Sequence, residues 1–306
     1  MHWISTNFWS GRRVLVTGAS GFIGAWVVDH LSHVGAEVHA VGHTRLPNTG
    51  HVRSVTALPG DAAALVSRTK ADTIFHLAAP IILEDDASAE SELSIGVVDA
   101  TTALIAAVDQ TPARLVCVGT CAEYGGAPAP YTEDSTPEPR SAYGRAKLAA
   151  TAAALSAGHT VVRPFRALGP GDTRSVVAAA AQAACSGQPF AMTTGTQVRE
   201  WNHVSAIAKG IIAAGAHDGA AGQVINLGGG ASESVRAVVE QVFAHAGADP
   251  SSILIGARDQ RPGEVPLLAG HHGRAAALWG TITQPSLSET LAESVHWTRR
   301  QMGGAA

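Results

Sequence analysis

A tyrosine and a lysine stand four residues apart in the segment SAYGRAKLAA, at Tyr143 and Lys147. This spacing places both side chains on the same face of a helix. A phenol ordinarily titrates near pH ~10, and a neighbouring ammonium group favours the phenolate and lowers the pKa. Such a tyrosine can exchange a proton with a hydroxyl or carbonyl group of a substrate. The pair by itself is common by chance, so its meaning depends on the elements that surround it.

A hydroxyl group precedes this pair at the end of a predicted strand. The apolar run RLVCVG leads directly into Thr120. In a parallel sheet, a residue at the carboxyl end of a strand points toward the ligand crevice. We expect Thr120 to orient a substrate oxygen together with Tyr143, although a threonine at this place also serves as an ordinary strand-end cap.

Three glycines stand three apart between an apolar run and a helical pattern, at Gly18, Gly21 and Gly24. The first permits a tight turn, the second lets the backbone approach phosphates, and the third lets the helix pack closely on the sheet. The helix N-terminus then offers N–H groups and a partial positive charge to an anion. The pattern predicts a dinucleotide site that includes Gly18, Ser20, Gly21, Phe22, Ile23 and Gly24.

The segment after the second predicted strand reads VGHTR and contains no acidic residue. NAD specificity usually needs an acid there for the ribose hydroxyls. His43, Thr44 and Arg45 could instead bind a 2′-phosphate, with the guanidinium as the strongest partner. The segment therefore favours NADP(H), with NAD(H) as the alternative, unless it is simply a solvated loop.

The elements that must position these residues alternate between strands and helices. Strands are predicted from the apolar runs VLVT, EVHAVG, TIFHLA, RLVCVG and TVVR, with helical patterns between most of them. Such alternation predicts an α/β fold, a Rossmann-type doubly wound parallel sheet. After residue 164 the pattern becomes less regular, although VINL still reads as a strand and residues 232–247 as a helix.

Composition excludes several classes of protein. Of 306 residues, 46% are hydrophobic and 15% charged, which argues against disorder. The net charge of −4 and the lack of a basic run argue against nucleic acid as a partner. The three cysteines lack metal-ligand spacing, so we expect free thiols, a reducing compartment and no metal. No signal peptide or membrane span is predicted, since the longest apolar stretch, near residues 176–185, is shorter than roughly 20 residues; we expect a cytoplasmic protein.

Together these motifs resemble the extended short-chain dehydrogenase/reductase family, the NAD(P)-dependent sugar epimerase/dehydratase group. The resemblance covers nearly the whole chain, and the motifs are specific as a set. The segments that carry it are TGASGFIG (17–24), FHLAA (75–79), GTCAEYG (119–125), YGRAK (143–147), RPFRALGPG (163–171), VREWNHV (198–204) and RPGEVP (261–266).

The resemblance implies roles for individual residues. Thr120, Tyr143 and Lys147 would form a catalytic triad, with Lys147 also holding the nicotinamide ribose, and Leu77, Ala78 and Ala79 would lie beside the cofactor. The substrate would be a nucleotide-diphosphate sugar whose phosphates are gripped by Arg199 and Arg261. Arg166 replaces an asparagine that helps bind this diphosphate in the family.

The resemblance also implies a domain organisation. A dinucleotide-binding domain would cover residues 1–165, with a returning segment near 198–228. A smaller substrate-binding domain would cover 166–197 and 229–306. A homodimer is expected, formed through paired helices that include the one carrying Tyr143.

One departure from the family bears on the reaction. Dehydratases of the family carry an Asp–Glu pair directly after the threonine, where this chain has Cys121 and Ala122. Removal of water needs an acid and a base, so dehydration is disfavoured, and sugar-acid decarboxylation loses support at Ala122 for the same reason. Glu123 stands one place later and either faces the sugar or turns to solvent; we take it as a candidate substrate contact.

Three functions remain open. The first is NADPH-dependent reduction of a 4-keto(-6-deoxy) nucleotide sugar, with Tyr143 as proton donor. The second is 4-epimerisation with a retained NAD, which uses the same triad. The third belongs to another class, a non-catalytic NADP(H)-binding sensor. The missing acid after the second strand favours the reductase.

Overall fold

The structure is a computed structural model that describes residues 6–44, 46, 48–55, 61–82, 84–260 and 263–303. Apolar runs rich in β-branched residues form its strands: β1 (Arg13–Thr17), β2 (Glu37–Val41), β3 (Val52–Ser54), β4 (Thr73–His76), β5 (Arg114–Val118), β6 (Thr160–Pro164), β7 (Arg166–Leu168), β8 (Phe190–Met192), β9 (Val198–His203), β10 (Val224–Leu227), β11 (Ala231–Ser234), β12 (Ile253–Ile255) and β13 (Leu267–Leu268).

Helices connect most of these strands. The α-helices are α1 (Thr6–Trp9), α2 (Phe22–His33), α3 (Ala62–Thr69), α4 (Ala87–Leu93), α5 (Ala100–Val108), α6 (Ala142–Ser156), α7 (Val176–Ser186), α8 (Val204–Ala216), α9 (Val235–Ala246), α10 (Gly273–Trp279) and α11 (Leu287–Gly303). A π-helical segment, Ser94–Asp99, joins α4 to α5.

The large sheet has seven strands in the order β10-β6-β5-β4-β1-β2-β3. Every neighbouring pair in it is parallel. The strand order reverses between β1 and β4, and ligands of such sheets bind at this reversal, beyond the carboxyl ends of the strands. The predicted Rossmann-type doubly wound α/β fold is confirmed.

Both faces of the large sheet are buried, and successive residues of β1 show why. Val14 and Val16 join a core with α2 and α8, including Ile207 and Ile211. Leu15 points to the opposite face, where the core is formed with α3 and α5. A strand buried on both sides reads as a continuous apolar run, as it does in this sequence.

A second, smaller unit carries the remaining strands. Strand β9 pairs with β7, β11 and β13, and β8 pairs with β12. Helices α7, α9 and α11 pack together over a core that includes Leu168, Trp201 and Phe243. The sequence interpretation placed residues 198–203 with the first domain, whereas β9 lies in the second sheet and the chain returns to the large sheet only with α8. The division into two domains otherwise stays a prediction.

A buried carboxylate joins the two sheets. Glu200 on β9 is 3% exposed. It accepts hydrogen bonds from the backbone N–H of Gly229, which follows β10, and from that of Gly270. It also accepts from Asn202 Nδ2 and His272 Nε2. Four donors fill the acceptor sites of this carboxylate, and they keep its pKa low although burial alone would raise it.

The helical stretch Ala87–Val108 was not singled out from the sequence as a possible membrane span. It has 22 residues with a mean hydropathy of 1.4, which is long and apolar enough to cross a membrane. Its buried side chains include Leu93, Val97, Leu104 and Ile105, and they face the protein. A helix that packs against a parallel sheet can be equally long and apolar, so length and composition alone do not identify a membrane span here.

Candidate functional site

The candidate site lies at the carboxyl edge of the large sheet, where β1, β4 and β5 end side by side. The glycine turn follows β1, the segment Leu77–Ala79 follows β4, and Thr120 comes shortly after β5. The first two are joined by hydrogen bonds from Leu77 N to Thr17 O and from Ala78 N to Thr17 Oγ1, at 3.1 and 3.4 Å. The fold thus brings three of the predicted motifs to one edge.

The glycines of the turn are required by close backbone contacts. Gly18 has φ +70°, and a Cβ there would lie 2.7 Å from the backbone nitrogen of Ala78. A Cβ on Gly24 would collide with the carbonyl oxygen of Gly18. Helix α2 begins at Phe22 without a side-chain cap on its N-terminal N–H groups. These groups therefore remain open to an anion at the helix N-terminus.

The end of β2 lies against this turn. Ser20 Oγ accepts a hydrogen bond from Thr44 N at 3.4 Å, and a Cβ on Gly42 would collide with the Ser20 side chain. His43 and Thr44 are exposed beside it. Arg45 lies outside the described residues. A cavity of about 260 Å³ opens next to the turn and is lined by Ser20, Gly21, Phe22, Trp26, Pro170 and Trp297.

A neutral histidine underlies the turn. His76 Nδ1 lies 2.7 Å from Thr17 Oγ1 and His76 Nε2 lies 3.1 Å from Thr101 Oγ1. Thr101 donates its own hydrogen to Val97 O, so Nε2 of His76 is the donor and Nδ1 accepts from Thr17. Burial, with a smaller contribution from the charge of Lys147, lowers the pKa of His76 to about 3. The imidazole is therefore an uncharged link between β4, β1 and the helix beyond.

Tyr143 and Lys147 lie on the first turns of α6, as predicted. Ser141 caps this helix by accepting a hydrogen bond from Gly144 N at 3.1 Å. Lys147 is buried, and its Nζ donates to Val118 O at the end of β5. Burial raises the pKa of Tyr143, and electrostatic interactions with Glu123 and Cys121 raise it further. The sequence predicted a pKa lowered by Lys147, which is wrong for this structure because the ammonium is directed at Val118 and burial dominates.

Thr120 stands at the N-terminus of a short 3-10 helix, Cys121–Glu123. Its Oγ1 accepts a hydrogen bond from Ala122 N at 3.2 Å, which orients the hydroxyl. Its backbone N–H donates to Glu123 Oε1 at 2.8 Å. The structure therefore places Thr120, Tyr143 and Lys147 around the end of β5.

Glu123 is fully buried, so the predicted contact with the sugar is wrong. Its Oε2 accepts hydrogen bonds from Arg163, itself 3% exposed, at 2.8 Å. With one oxygen on Thr120 and the other on Arg163, the carboxylate lies beneath the site and faces neither solvent nor substrate.

Two arginines, Arg166 and Arg199, act electrostatically on Cys121. Arg166 on β7 is exposed, and its guanidinium carbon is 5.9 Å from the centre of the Trp201 ring. Arg199 on β9 is buried and pairs with Glu264. Burial lowers the pKa of Arg199, Glu264 raises it and the positive charge of Arg166 lowers it, so the two guanidiniums act on one another. Arg261 lies outside the described residues.

Cys121 takes the position where a carboxylate would be needed for dehydration. Burial raises the pKa of its thiol to about 12, and the charges of Arg166, Glu200 and Arg199 also act on it. The thiol is neutral at physiological pH, and the next residue is an alanine. Neither position offers an acid or a base, so Tyr143 is the titratable group that the site presents for proton transfer among the residues described.

Sequence reasoning missed three contributors to this site. Glu264 lies in the motif RPGEVP, and nothing in the local sequence assigns it a role, because its pairing with Arg199 joins residues 65 positions apart. Arg163 opens the motif RPFRALGPG and was likewise given no role in the site. His76 was part of a motif, but its hydrogen bonds to two threonines depend on the sheet. Only the spacing Thr120-x-x-Glu123 could have been recognised in advance, since it is a capping-box pattern.

Comparisons with known proteins agree with this geometry. The sequence model of the NAD dependent epimerase/dehydratase family matches residues 14–228. A dTDP-6-deoxy-L-talose 4-dehydrogenase (NAD(P)(+)) of Kitasatospora kifunensis is 32% identical over 258 residues, which is 77% of this chain and 79% of that protein. A UDP-glucose 4-epimerase of Corynebacterium glutamicum is 28% identical over 74% of this chain and 78% of its own. The structure of MoeE5 in complex with UDP-glucuronic acid and NAD has a TM-score of 0.86 at 31% identity, covering 94% of this chain and 99% of that one.

Proposed function

Because the chain belongs to the NAD-dependent epimerase/dehydratase family, we propose that it reduces the 4-keto group of a 4-keto(-6-deoxy) nucleotide-diphosphate sugar with NADPH. Members of this family are NAD(P)-dependent oxidoreductases and epimerases of the extended short-chain dehydrogenase/reductase type. The observation that carries the proposal is that Tyr143 lies on the first turn of α6 while a cysteine and an alanine, Cys121 and Ala122, follow Thr120, where elimination of water would need an acid and a base. This combination supports redox chemistry and lacks the groups for elimination of water.

The glycine turn fits the pyrophosphate of a nicotinamide dinucleotide. Its close contacts leave no room for side chains, and the uncapped start of α2 offers donors to an anion. Gly18, Ser20, Gly21, Phe22, Ile23 and Gly24 would hold the phosphates, and Leu77, Ala78 and Ala79 would flank them. When bound, the nicotinamide ring supplies or accepts a hydride. Lys147 would hold the ribose next to it.

The proposed preference for NADPH is supported by the residues at the end of β2. Residues 41–46 contain no carboxylate that would repel a 2′-phosphate. His43 and Thr44 are exposed next to Ser20, where they could donate to that phosphate. Arg45 follows them in the sequence and would add a full positive charge.

The protonated form of Tyr143 favours reduction as the direction of the reaction. Burial raises the pKa of Tyr143, so its phenol is protonated at neutral pH and can donate to the oxygen of a keto group as that oxygen gains charge. Thr120, oriented by Ala122 N, would bind the same oxygen. Oxidation of a hydroxyl would instead require Tyr143 to begin as a phenolate.

The diphosphate of the substrate would bind at Arg166 and Arg199. Arg166 is exposed and has no carboxylate within salt-bridge distance among the described residues. Arg199 already pairs with Glu264, so a diphosphate would compete with that carboxylate for it. Arg166 is therefore the more available of the two guanidiniums, and Arg261 would add a third.

The test begins with the purified protein. After denaturation, any released nucleotide is identified by chromatography, and NADPH and NADH are titrated into protein that has been stripped of nucleotide. Deuterium-labelled NADPH is then supplied with 4-keto-6-deoxy nucleotide sugars. We expect tighter binding of NADPH than of NADH, net oxidation of NADPH, and deuterium at C4 of the product.

A second candidate is 4-epimerisation with a retained NAD. It is supported by the similarity to a UDP-glucose 4-epimerase and to a structure that contains NAD. Release of stoichiometric NAD on denaturation, together with interconversion of nucleotide sugars without net NADPH oxidation, would replace the reductase by the epimerase.

We also expect a homodimer. Ile95, 64% exposed, lies on the π-helical segment that packs against α6, and Ile81 nearby is 47% exposed. Sedimentation equilibrium would measure the state of association. The cytoplasmic location stays a prediction.

A further inference from the structure

Residues 169–175 contact both walls of the crevice in which the dinucleotide would bind. They follow β7 and lead into α7, so both ends of this segment belong to the second unit. One wall of the crevice is the start of α2, and the other is the segment 77–82 that follows β4. These two walls flank the crevice because the strand order of the large sheet reverses between β1 and β4.

On the first wall, the segment packs against two aromatic side chains of α2. Trp26 Nε1 donates a hydrogen bond to Pro170 O at 3.0 Å. A Cβ built on Gly171 would lie 3.5 Å from Cδ2 of Phe22, so the backbone of the segment lies close to this ring. The Trp26 ring also meets the His203 ring edge to face, with centroids 5.7 Å apart. Several contacts therefore fix this end of the segment.

On the second wall, one hydrogen bond between described residues holds the segment. Arg174 Nη2 donates to Ile81 O at 3.3 Å, which joins residues 93 positions apart. Both residues are exposed, so water competes for this contact. A long hydrogen bond in contact with water is weak, and the attachment at Ile81 is therefore the weaker of the two.

Between the two attachments, the segment is braced by its own hydrogen bonds. Asp172 Oδ1 accepts from Arg174 N and from Ser175 N, both at 3.1 Å, and Asp172 N donates to Gly169 O at 3.2 Å. Ser175 Oγ then accepts from Ala178 N at 3.2 Å and caps α7. The segment thus has a defined backbone path that continues into the helix.

The segment lies over the glycine turn. Pro170 and Gly171 line the cavity of about 260 Å³ beside the turn, together with Ser20 and Gly21. Pro170 and Arg174 are four positions apart, and four residues of extended chain span at most about 14 Å. The two walls are therefore close enough for this short segment to bridge them. A dinucleotide whose phosphates rest on the turn would have residues 169–175 above it.

We propose that residues 169–175 form a strap across the cofactor crevice, anchored at Trp26 and latched by Arg174 at Ile81, and that the strap opens at the latch to let the dinucleotide enter and leave. This inference rests on the proposed function, because it takes the glycine turn as the dinucleotide site. A reductase exchanges NADP⁺ for NADPH in every turnover, so opening of the strap is a step of its catalytic cycle.

A strap and an additional binding residue differ in their kinetics. A strap that is closed both before and after binding slows association and dissociation by the same factor, so it leaves Kd unchanged. An arginine that contacted the dinucleotide would instead slow dissociation and tighten Kd, with little effect on association. The two rate constants, measured together, distinguish these roles of Arg174.

The test measures association and dissociation of NADPH by stopped-flow fluorescence with the full chain stripped of nucleotide, and NADH is the second probe. Arg174→Ala removes the latch from an exposed position, so this variant is expected to fold like the parent. Trp26→Phe keeps an aromatic ring and removes the hydrogen bond to Pro170. Arg299→Ala is the matched control, because Arg299 is also exposed and donates to a backbone carbonyl, that of Ala246, within the second unit.

In Arg174→Ala we expect both rate constants to rise by about threefold to tenfold, the effect of losing one hydrogen bond, while Kd changes by less than about twofold. Trp26→Phe should raise both rate constants as well, and Arg299→Ala should match the parent. Unchanged rate constants in Arg174→Ala would overturn the strap. Faster dissociation with unchanged association would also overturn it and would make Arg174 a direct contact of the dinucleotide.

These measurements need no sugar. If the parent binds NADPH but reduces no 4-keto sugar, the proposed reduction fails while the strap is still judged by the two rate constants. A parent that binds neither NADPH nor NADH would overturn the dinucleotide site and the strap together.

Discussion

Replacing Gly18 by alanine tests whether the turn after β1 requires a glycine for two separate reasons. Gly18 has φ +70°, a conformation that L-residues adopt at a cost. An added Cβ would also lie 2.7 Å from Ala78 N and 2.8 Å from the carbonyl carbon of Leu77. Gly247 at the end of α9 provides the matched control, because it has φ +64° but nothing within 4 Å of its added Cβ.

The expected magnitudes differ between the two sites. Gly247→Ala is expected to cost about 1–2 kcal/mol because alanine is strained in the left-handed conformation. About 0.4–1 kcal/mol of this is offset because alanine restricts the unfolded chain, so the net loss of folding stability is about 1 kcal/mol. Gly18→Ala carries the same strain and adds about 1–3 kcal/mol of overpacking against backbone that cannot rotate away. We therefore expect about 2–4 kcal/mol of destabilisation at Gly18.

The assay is urea unfolding of both variants and the parent, followed by NADPH titration. The turn of Gly18→Ala must open away from Leu77 and Ala78, and a loss of about 1.4 kcal/mol in cofactor contacts corresponds to a tenfold weaker Kd. Gly247→Ala should bind NADPH like the parent. Equal destabilisation of the two variants with unchanged NADPH affinity would refute the argument that close backbone approach makes Gly18 necessary.

Three further predictions follow from the site. Tyr143→Phe is expected to lower kcat by about a hundredfold or more while NADPH binding is retained, measured by turnover and titration, because the phenol donates a proton in the transition state; undiminished turnover would remove Tyr143 from the mechanism. Arg166→Ala is expected to raise KM for the nucleotide sugar by about tenfold to a hundredfold, the effect of losing a charge-assisted hydrogen bond. Arg236→Ala removes an exposed arginine that pairs with Glu240 and should leave this KM unchanged. Equal effects of the two substitutions would show that the diphosphate binds elsewhere. The folded protein resists protonation of His76, so the contribution of this residue to stability is intact above about pH 6.5 and is lost as the pH falls toward about 3. Between pH ~7.5 and pH ~5, the free energy of unfolding of the parent should fall by about 2 kcal/mol more than that of His76→Gln. Parallel pH profiles of the two proteins would contradict a neutral imidazole.

Local sequence was sufficient for the parts of the fold that repeat a simple pattern. Strands β1, β2, β5, β6 and β10 were predicted within one or two residues because each is an apolar run between helices or turns. The glycine turn and the helix after it were recognisable because their spacing is local. The short strand β3 and the helix α3 escaped prediction, since three residues of mixed polarity and a helix of eight carry little periodic signal.

The parts of the site that could not be predicted depend on distant partners. Glu123 faces inward because Arg163, forty positions along the chain, reaches it from β6. The direction of the Tyr143 pKa depends on how deeply α6 is packed, which helical spacing does not reveal. Strand β9 lies in the second sheet because it pairs there with β7, β11 and β13. These partners come from three separate segments of the chain, so the pairing could not be predicted from the local sequence.

The Glu200 carboxylate has a consequence for how this protein comes apart. It accepts hydrogen bonds from Gly229 at the end of the large sheet and from Gly270 in the second unit. Separating the two sheets would remove the Gly229 donor from this carboxylate, while Asn202 and Gly270 would stay with it, so a charge-assisted hydrogen bond between the sheets would be lost. The chain also passes from β9 straight into α8, whose Ile207 and Ile211 belong to the core of the large sheet. We therefore expect the two units to denature cooperatively, so that a substitution that destabilises the second unit also lowers the stability of the large sheet.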